Sequence, residues 1–266
     1  IEIVVPSYDY ETAEIKIYVL NSDGTNFITP IEVELTNPDF VNLFNEAYYE
    51  SSPALADFDN DDDLEIVLGM PDGSVGMWEH NGELVWRYIT GIPKRARSPA
   101  IGDIDNNGDL EIVVPIFQSL HVLNHDGTIV DGWPKNLFIT FASRVLYDVD
   151  QDNLLEIIMP IQGKVGIYKH NGEEIFENAF FTHNAFGSGS TPALGDVDNN
   201  GKIDMVVATI NYYFYAWEFD TESEIKNNDW LEWHENNRNT GVYGDIFPNE
   251  LCGNGLLNLG ENCDDG

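Results

Sequence analysis

Positive charge is what this chain has least of. Lys and Arg number 12 against 47 Asp and Glu, a formal net charge of −35. That balance argues against nucleic acid as a partner, because phosphate contacts need clustered cations, and against an anionic membrane surface for the same reason. Cysteine is scarce too. Cys252 and Cys263 both fall in the last fifteen residues and say nothing about how the rest of the chain is held together. The longest apolar runs, such as "IEIVV" and "MVVATI", are far short of a membrane span, so direct membrane insertion is not expected. The chain opens on Ile1 inside a strand-like stretch with no charged-then-apolar leader, and it holds no Asn-x-Ser/Thr acceptor. No nucleophile elbow, phosphate loop or dinucleotide fingerprint appears, and the six His form no recognisable triad or metal cluster. Cations, basic proteins and neutral polymers remain as partners. A content of 42% hydrophobic residues argues for a folded protein.

What is present is a repeat. Acidic loops begin at Asp57, Asp103, Asp148 and Asp196, about 45 residues apart, the range of four-stranded propeller blades. A short segment ("SPALAD", "SPAIGD", "SRVLYD", "TPALGD") leads into each loop, and an apolar run ("LEIVLG", "LEIVVP", "LEIIMP", "IDMVVA") leaves it. A third strand with alternating apolar residues follows, then in three units an Asn-Gly or Asp-Gly turn and a fourth strand. That turn chemistry predicts a two-residue hairpin with positive φ at both central positions. A lone four-stranded meander cannot bury both faces, whereas radial stacking can. The expected fold is all-β, a propeller of four-stranded antiparallel blades over residues 1–247, with a short cysteine-containing segment at 248–266. Five units are visible, and the first lacks its acidic loop and first strand. Either it is cut from a longer chain, the favoured reading, or another chain donates that strand.

Within each loop, polar oxygens recur at positions 1, 3, 5 and 9: Asp57, Asp59, Asp61 and Glu65; Asp103, Asp105, Asn107 and Glu111; Asp148, Asp150, Asp152 and Glu156; Asp196, Asp198, Asn200 and Asp204. Alternate residues of a curled loop aim at one centre, as a hard cation with 6–8 oxygen ligands requires, and a backbone carbonyl at position 7 would complete the shell. That adds Asp63, Asp109, Leu154 and Lys202. Position 6 should turn sharply; it holds Gly108 and Gly201, or Asp62 and Asn153. A single such loop reads equally as metal-free Asx-turns. Four at identical offsets predict about four calcium ions, with zinc disfavoured because no Cys or His joins the pattern. Counting carboxylates ranks the Asp57 and Asp148 loops as the tighter sites.

"SPAIGDIDNNGDLEIVV" followed by "LHVLNHDGTIVDGWPKNL" resembles the FG-GAP/VCBS repeat family, whose blades build the calcium-bearing propellers of integrin α-subunits and many microbial surface proteins. The resemblance covers roughly residues 1–245 and implies the same calcium ligands at the loop positions named above. The segment "NNDWLEWHENNRNTGVYGD" resembles the closing stretch after the last blade of such propellers. The tail "LCGNGLLNLGENCDDG" resembles the start of a myxococcus-type cysteine-rich repeat of secreted proteins. That resemblance leaves a Cys252–Cys263 disulfide, free thiols or pairing within a further repeat open.

Two functions from different classes fit. The first, favoured here, is an extracellular or cell-surface module without catalysis, binding a protein or glycan ligand, or copies of itself, in adhesion, recognition or surface assembly. The second is the propeller domain of a polysaccharide-active lyase or hydrolase. His80, His125 and His170 read as turn residues; Trp78, Tyr168 and Trp217 read as packing between blades. Trp86, Trp133, Trp230 and Trp233 read as packing with sugar stacking as the alternative, and "IPKRARS" as cations paired with local acids, with a docking spot on the negative surface as the alternative.

Overall fold

The computed structural model describes residues 3–9, 12, 14–35, 51–91, 94–137, 142–161, 163–176, 180–182, 190–209, 212–222 and 242–243. The expectations for Cys252, Cys263, His183, His234, Trp230, Trp233 and the 248–266 segment lie outside them. Every strand pairing among the described sheets is antiparallel, in five successive meanders. The first holds β1 (Ile3–Asp9), β2 (Glu14–Leu20) and β3 (Ile31–Val33). The second runs β4 (Ala54–Ala56), β5 (Glu65–Gly69), β6 (Ser74–Trp78) and β7 (Leu84–Ile89). The third runs β8 (Ala100–Gly102), β9 (Glu111–Ile116), β10 (Ser119–Leu123) and β11 (Lys135–Asn136). The fourth runs β12 (Val145–Tyr147), β13 (Glu156–Ile161), β14 (Lys164–Tyr168) and β15 (Glu174–Ile175). The fifth holds β16 (Ala193–Gly195), β17 (Lys202–Ala208) and β18 (Phe214–Glu222).

Side-chain alternation explains how these sheets stack. Successive residues of a strand point to opposite faces, so a strand covered on both faces must be apolar throughout. In β5, Ile66 and Leu68 enter a core with Ile15, Ile17 and Val19 of the first sheet, while Val67 enters one shared with the third. In β13, Ile157 and Met159 face the third sheet and Ile158 faces Ile203, Met205 and Val207 of the fifth. The outer sheets show the other pattern. In β2 and β17 every second residue is buried and the alternates are half-buried or exposed. The first strands β4, β8 and β12 lie beside one another, so they form the inner edge of the stack. On β4, Val242 bridges Leu55 in parallel, and the Tyr243 amide donates to the Leu55 carbonyl at 2.8 Å. The fold is a β-propeller.

The hairpins differ from expectation. Each is a three-residue loop with positive φ at the glycine alone: Gly82, Gly127 and Gly172, and likewise Gly24 in the first sheet. The amide of Glu79 donates to the carbonyl of Glu83, and the same closure recurs at 124–128 and 169–173. The residue before each glycine uses its side chain instead: Asn81, Asp126 and Asn171 each accept from the amide two residues on, at 2.9 Å. That Asx bond holds the residue in a negative-φ turn, and the glycine takes the left-handed position of a bulge.

Aromatic residues expected between blades are found there. Trp78 packs toward the first sheet, Tyr168 meets Trp133 of the third blade edge-on at 6.2 Å, and Trp217 lies against Phe180. Gly76 leaves room for Trp78 to fold back along its own strand, since a Cβ there would lie 2.4 Å from the ring; Gly166 does the same for Tyr168. Gly76→Ala is therefore expected to lower unfolding free energy by about 1–3 kcal/mol, the usual cost of overpacking. Urea titration of the two proteins measures it.

Candidate metal centres

The four acidic loops join the first strand to the second in sheets two to five, and they share one hydrogen-bond plan. The position-1 carboxylate accepts amides from positions 5 and 6: Asp57 from Asp61 and Asp62 at 3.1 Å, Asp103 from Asn107 and Gly108 at 3.0 Å, Asp196 from Asn200 at 3.0 Å and Gly201 at 2.8 Å. Asp148 accepts from Asn153 at 3.0 Å. Position 5 accepts from position 7, as Asp61 from Asp63, Asn107 from Asp109, Asp152 from Leu154 and Asn200 from Lys202. The carboxylate at position 9, the first residue of the second strand in sheets two to four and the third residue of β17, accepts the amide of position 2: Phe58 to Glu65 at 2.7 Å, Ile104 to Glu111 at 3.0 Å, Val149 to Glu156 at 2.9 Å and Val197 to Asp204 at 3.0 Å.

Position 6 has positive φ in every loop, at Asp62, Gly108, Asn153 and Gly201, as its residue types predict. Position 4 does as well, at Asn60, Asn106, Gln151 and Asn199. Sequence reasoning missed that second left-handed residue; three of the four are Asn, a type that tolerates the region. Between these turns the acids converge. Ligand oxygens of Asp57, Asp59 and Asp61 lie within 4.8 Å of one another, as do those of Asp103, Asp105 and Glu111, of Asp148, Asp150 and Glu156, and of Asp196, Asp198 and Asp204. These clusters have the chemistry to hold a metal ion. The position-7 side chains go elsewhere, Asp63 to 3.5 Å from His80, Asp109 to 3.8 Å from His125 and Lys202 to Glu218 and Asp220, which is compatible with a carbonyl role at that position.

The position-9 acids are the buried members. Glu65 and Glu111 are 2% exposed and Glu156 is wholly buried. Burial, reinforced by neighbouring acids, pushes Glu65 up to about 7 and Glu111 and Glu156 up to about 8; the amide each accepts works in the opposite direction. One oxygen of each takes that amide, and the second oxygens of Glu65 and Glu156, although buried, have no hydrogen-bond partner among the described residues.

One further position, following Trp78, Leu123, Tyr168 and Trp217 of the third strands, is occupied by Glu79, Asn124, Lys169 and Glu218, and in three of the four sheets it reaches the loop. Glu79 raises the proton affinity of Glu65. Lys169 does the reverse in its own loop, with Nζ 2.8 Å from Asp150 and 2.6 Å from Asp152, so that its own pKa is pushed up. Glu218 accepts from Asn200 Nδ2 at 2.6 Å. No loop-internal spacing could have signalled this position, because strand pairing brings it there.

Two rings that could have served a ligand are engaged in packing. Trp86 Nε1 donates to the His125 carbonyl at 2.8 Å, and Trp133 Nε1 to the His170 carbonyl at 2.7 Å, so each indole ties one blade to the next blade's hairpin. His121 is 2% exposed between Tyr88 and Ser119, and burial lowers it to about 4; it is a neutral core histidine. In "IPKRARS", Lys94 lies 4.8 Å over the Phe117 ring.

Residues 57–114, spanning two of the acidic loops, match the model of the FG-GAP-like repeat family. No curated protein matches the chain in sequence. Among solved structures it is similar to the V. cholerae biofilm matrix protein Bap1, at 18% identity and a TM-score of 0.56 over 83% of this chain and 34% of that one. It is also similar to Saccharomyces cerevisiae Sqt1, at 15% identity and a TM-score of 0.52 over 84% of this chain and 57% of that one. The chain thus spans only part of either protein, and the similarity is one of fold. The Asp196 loop, outside the matched residues, repeats the hydrogen bonds of the matched pair, and the Asp148 loop repeats those from positions 2, 6 and 7.

A metal-free stability profile follows from the buried glutamates. Their folded pKa values exceed the ordinary carboxylate value of about 4.3, so the folded state binds more protons between the two. In chelator, stability should fall as pH rises from about 4.5 to about 8 and then level. Glu156→Gln should flatten part of that fall. Denaturant titrations at a series of pH values check it; stability that rises over this range would contradict the assignment.

Proposed function

We propose that this chain is a calcium-stabilised β-propeller of the cell surface or extracellular space, acting without catalysis as a module for adhesion, recognition or surface assembly. Its partners are protein or glycan ligands, or copies of itself. The observation that carries the metal reading is the pair of buried, unpartnered oxygens on Glu65 and Glu156, each in a loop whose other acids converge. A hard cation with oxygen ligands satisfies such an oxygen and removes the repulsion among its neighbours. Asp57, Asp59, Asp61 and Glu65, with their counterparts in the other loops, would hold it. Four divalent ions would bring the charge of −35 to about −27.

The setting follows from availability. Millimolar extracellular calcium fills even weak sites, whereas resting cytosolic levels leave them empty. Bap1 is a biofilm matrix protein, and a matrix or surface setting suits this propeller for the same reason. The acidic surface favours basic or neutral partners over nucleic acid.

Calcium at a hundredfold its Kd adds about 2.7 kcal/mol of stability per site. Thermal unfolding in millimolar calcium, compared with exhaustive chelation, should show a large upward shift, with about four ions per chain by elemental analysis. No shift would overturn the metal reading and the extracellular reading with it.

The four sites should also differ. Carboxylate counting ranks the Asp57 and Asp148 loops together, but Glu79 adds a negative charge beside the first and Lys169 places a positive one in the second. The Asp57 loop should therefore be the tightest, and Lys169→Met should strengthen binding at the Asp148 loop. Calcium titration calorimetry reads both; a Lys169→Met protein that binds no more tightly would contradict the placement.

A further inference from the structure

The segment before each first strand follows one plan. Ser52, Ser98, Ser143 and Thr191 are equivalent, and the next position holds Pro53, Pro99, Arg144 and Pro192. The hydroxyls join neighbouring blades: the Ser52 amide donates to Ser98 Oγ at 2.9 Å and the Ser143 amide to Thr191 Oγ1 at 3.0 Å. Among the described residues no such bond joins Ser98 to Ser143. At that junction, between the third and fourth sheets, proline is replaced by arginine.

Arg144 is 1% exposed, and neither its Nε nor its Nη2 has a hydrogen-bond partner among the described residues. Its direction follows from strand alternation. Val145 and Tyr147 belong to the core shared with the fifth sheet and Leu146 to the core shared with the third, so Arg144, two residues before Leu146, faces the third sheet. There β12 lies against β8, and Arg97 stands three residues ahead of β8 with its amide bonded to the Pro115 carbonyl at 3.0 Å. A guanidinium does not shed its proton in a protein, so a buried arginine without a counter-charge is strongly unfavourable. Burial disfavours the charge of Arg144, and Arg97, of the same sign, adds to that. In a chain with 47 acids, a buried cation facing another cation is a place made for an anion that comes from elsewhere.

We propose that Arg144 is the base of a buried anion site between the third and fourth blades, taking a two-oxygen anion (a carboxylate, or a sulfate- or phosphate-type oxyanion) side-on. The chemistry is in the two free nitrogens. Nε–H and Nη2–H lie parallel along one edge of the guanidinium, and that edge matches the two oxygens of such an anion. The three sibling prolines cannot do this, so the site belongs to one junction. Arg144 stands just before β12, at the end of that strand opposite the Asp148 loop.

The test uses the whole chain, with acetate and sulfate as separate probes in calcium-saturated buffer, each balanced against chloride at constant ionic strength. Thermal unfolding of the wild type should shift upward and saturate with one or both probes. Arg144→Met keeps an unbranched stem without the cation; it should show no saturable shift and should be at least as stable as wild type in chloride alone. Equal responses of the two proteins, or none in either, would overturn the proposal. Should Arg144→Met fail to fold, Arg144→Lys decides. It keeps the charge but loses the paired donors, and half-saturation should need about tenfold more probe; an unchanged half-saturation would overturn the site. The tighter probe names the class, acetate indicating a carboxylate borne by an acidic side chain or sugar acid, and sulfate a free inorganic oxyanion.

Discussion

Everything in this propeller turns on one hydrogen bond repeated four times, from the amide at loop position 2 to the carboxylate at position 9. In sheets two to four it holds an acid at the first residue of a buried strand and so ties a loop that should repel itself to the core. The loop's own amides neutralise part of the cost, each position-1 acid capping the turn that follows. What they leave is a buried oxygen on Glu65 and Glu156 that no described residue satisfies, beside acids that could hold a metal ion.

The sheets owe their order to a different constraint. A four-stranded meander with apolar residues on both faces is stable only between two others. The three middle sheets meet that condition, and their second strands are buried end to end, apolar after the opening glutamate. Indoles reinforce the stack at two junctions, each donating to the carbonyl of a hairpin in the following blade. At the inner edge, hydroxyls do comparable work on two junctions, and Arg144 takes the third.

Much of this was legible from the residues. Three of the expected acids converge in each loop, with Glu65 outside the group of its own loop and Asp152 outside that of the Asp148 loop. The apolar runs predicted buried second strands. The hairpins were read less well: Asn-Gly suggested two left-handed residues, but an Asx side chain that bonds forward keeps its own backbone in the ordinary region. The left-handed residue at position 4 escaped notice because Asn and Gln carry no glycine-like signal.

The sequence by itself determined the period, the strands and the acids of each loop, since all three depend on contacts within about ten residues. Tertiary structure alone decided what each loop meets across the sheet and between blades. Lys169 enters the Asp148 loop and Glu79 approaches the Asp57 loop through antiparallel pairing with a later strand, so equal carboxylate counts become unequal sites. Arg144 reads in sequence as one departure from a proline. Only the packing of one blade on another buries it beside Arg97, because the energy of a charge depends on what surrounds it rather than on its neighbours in the chain.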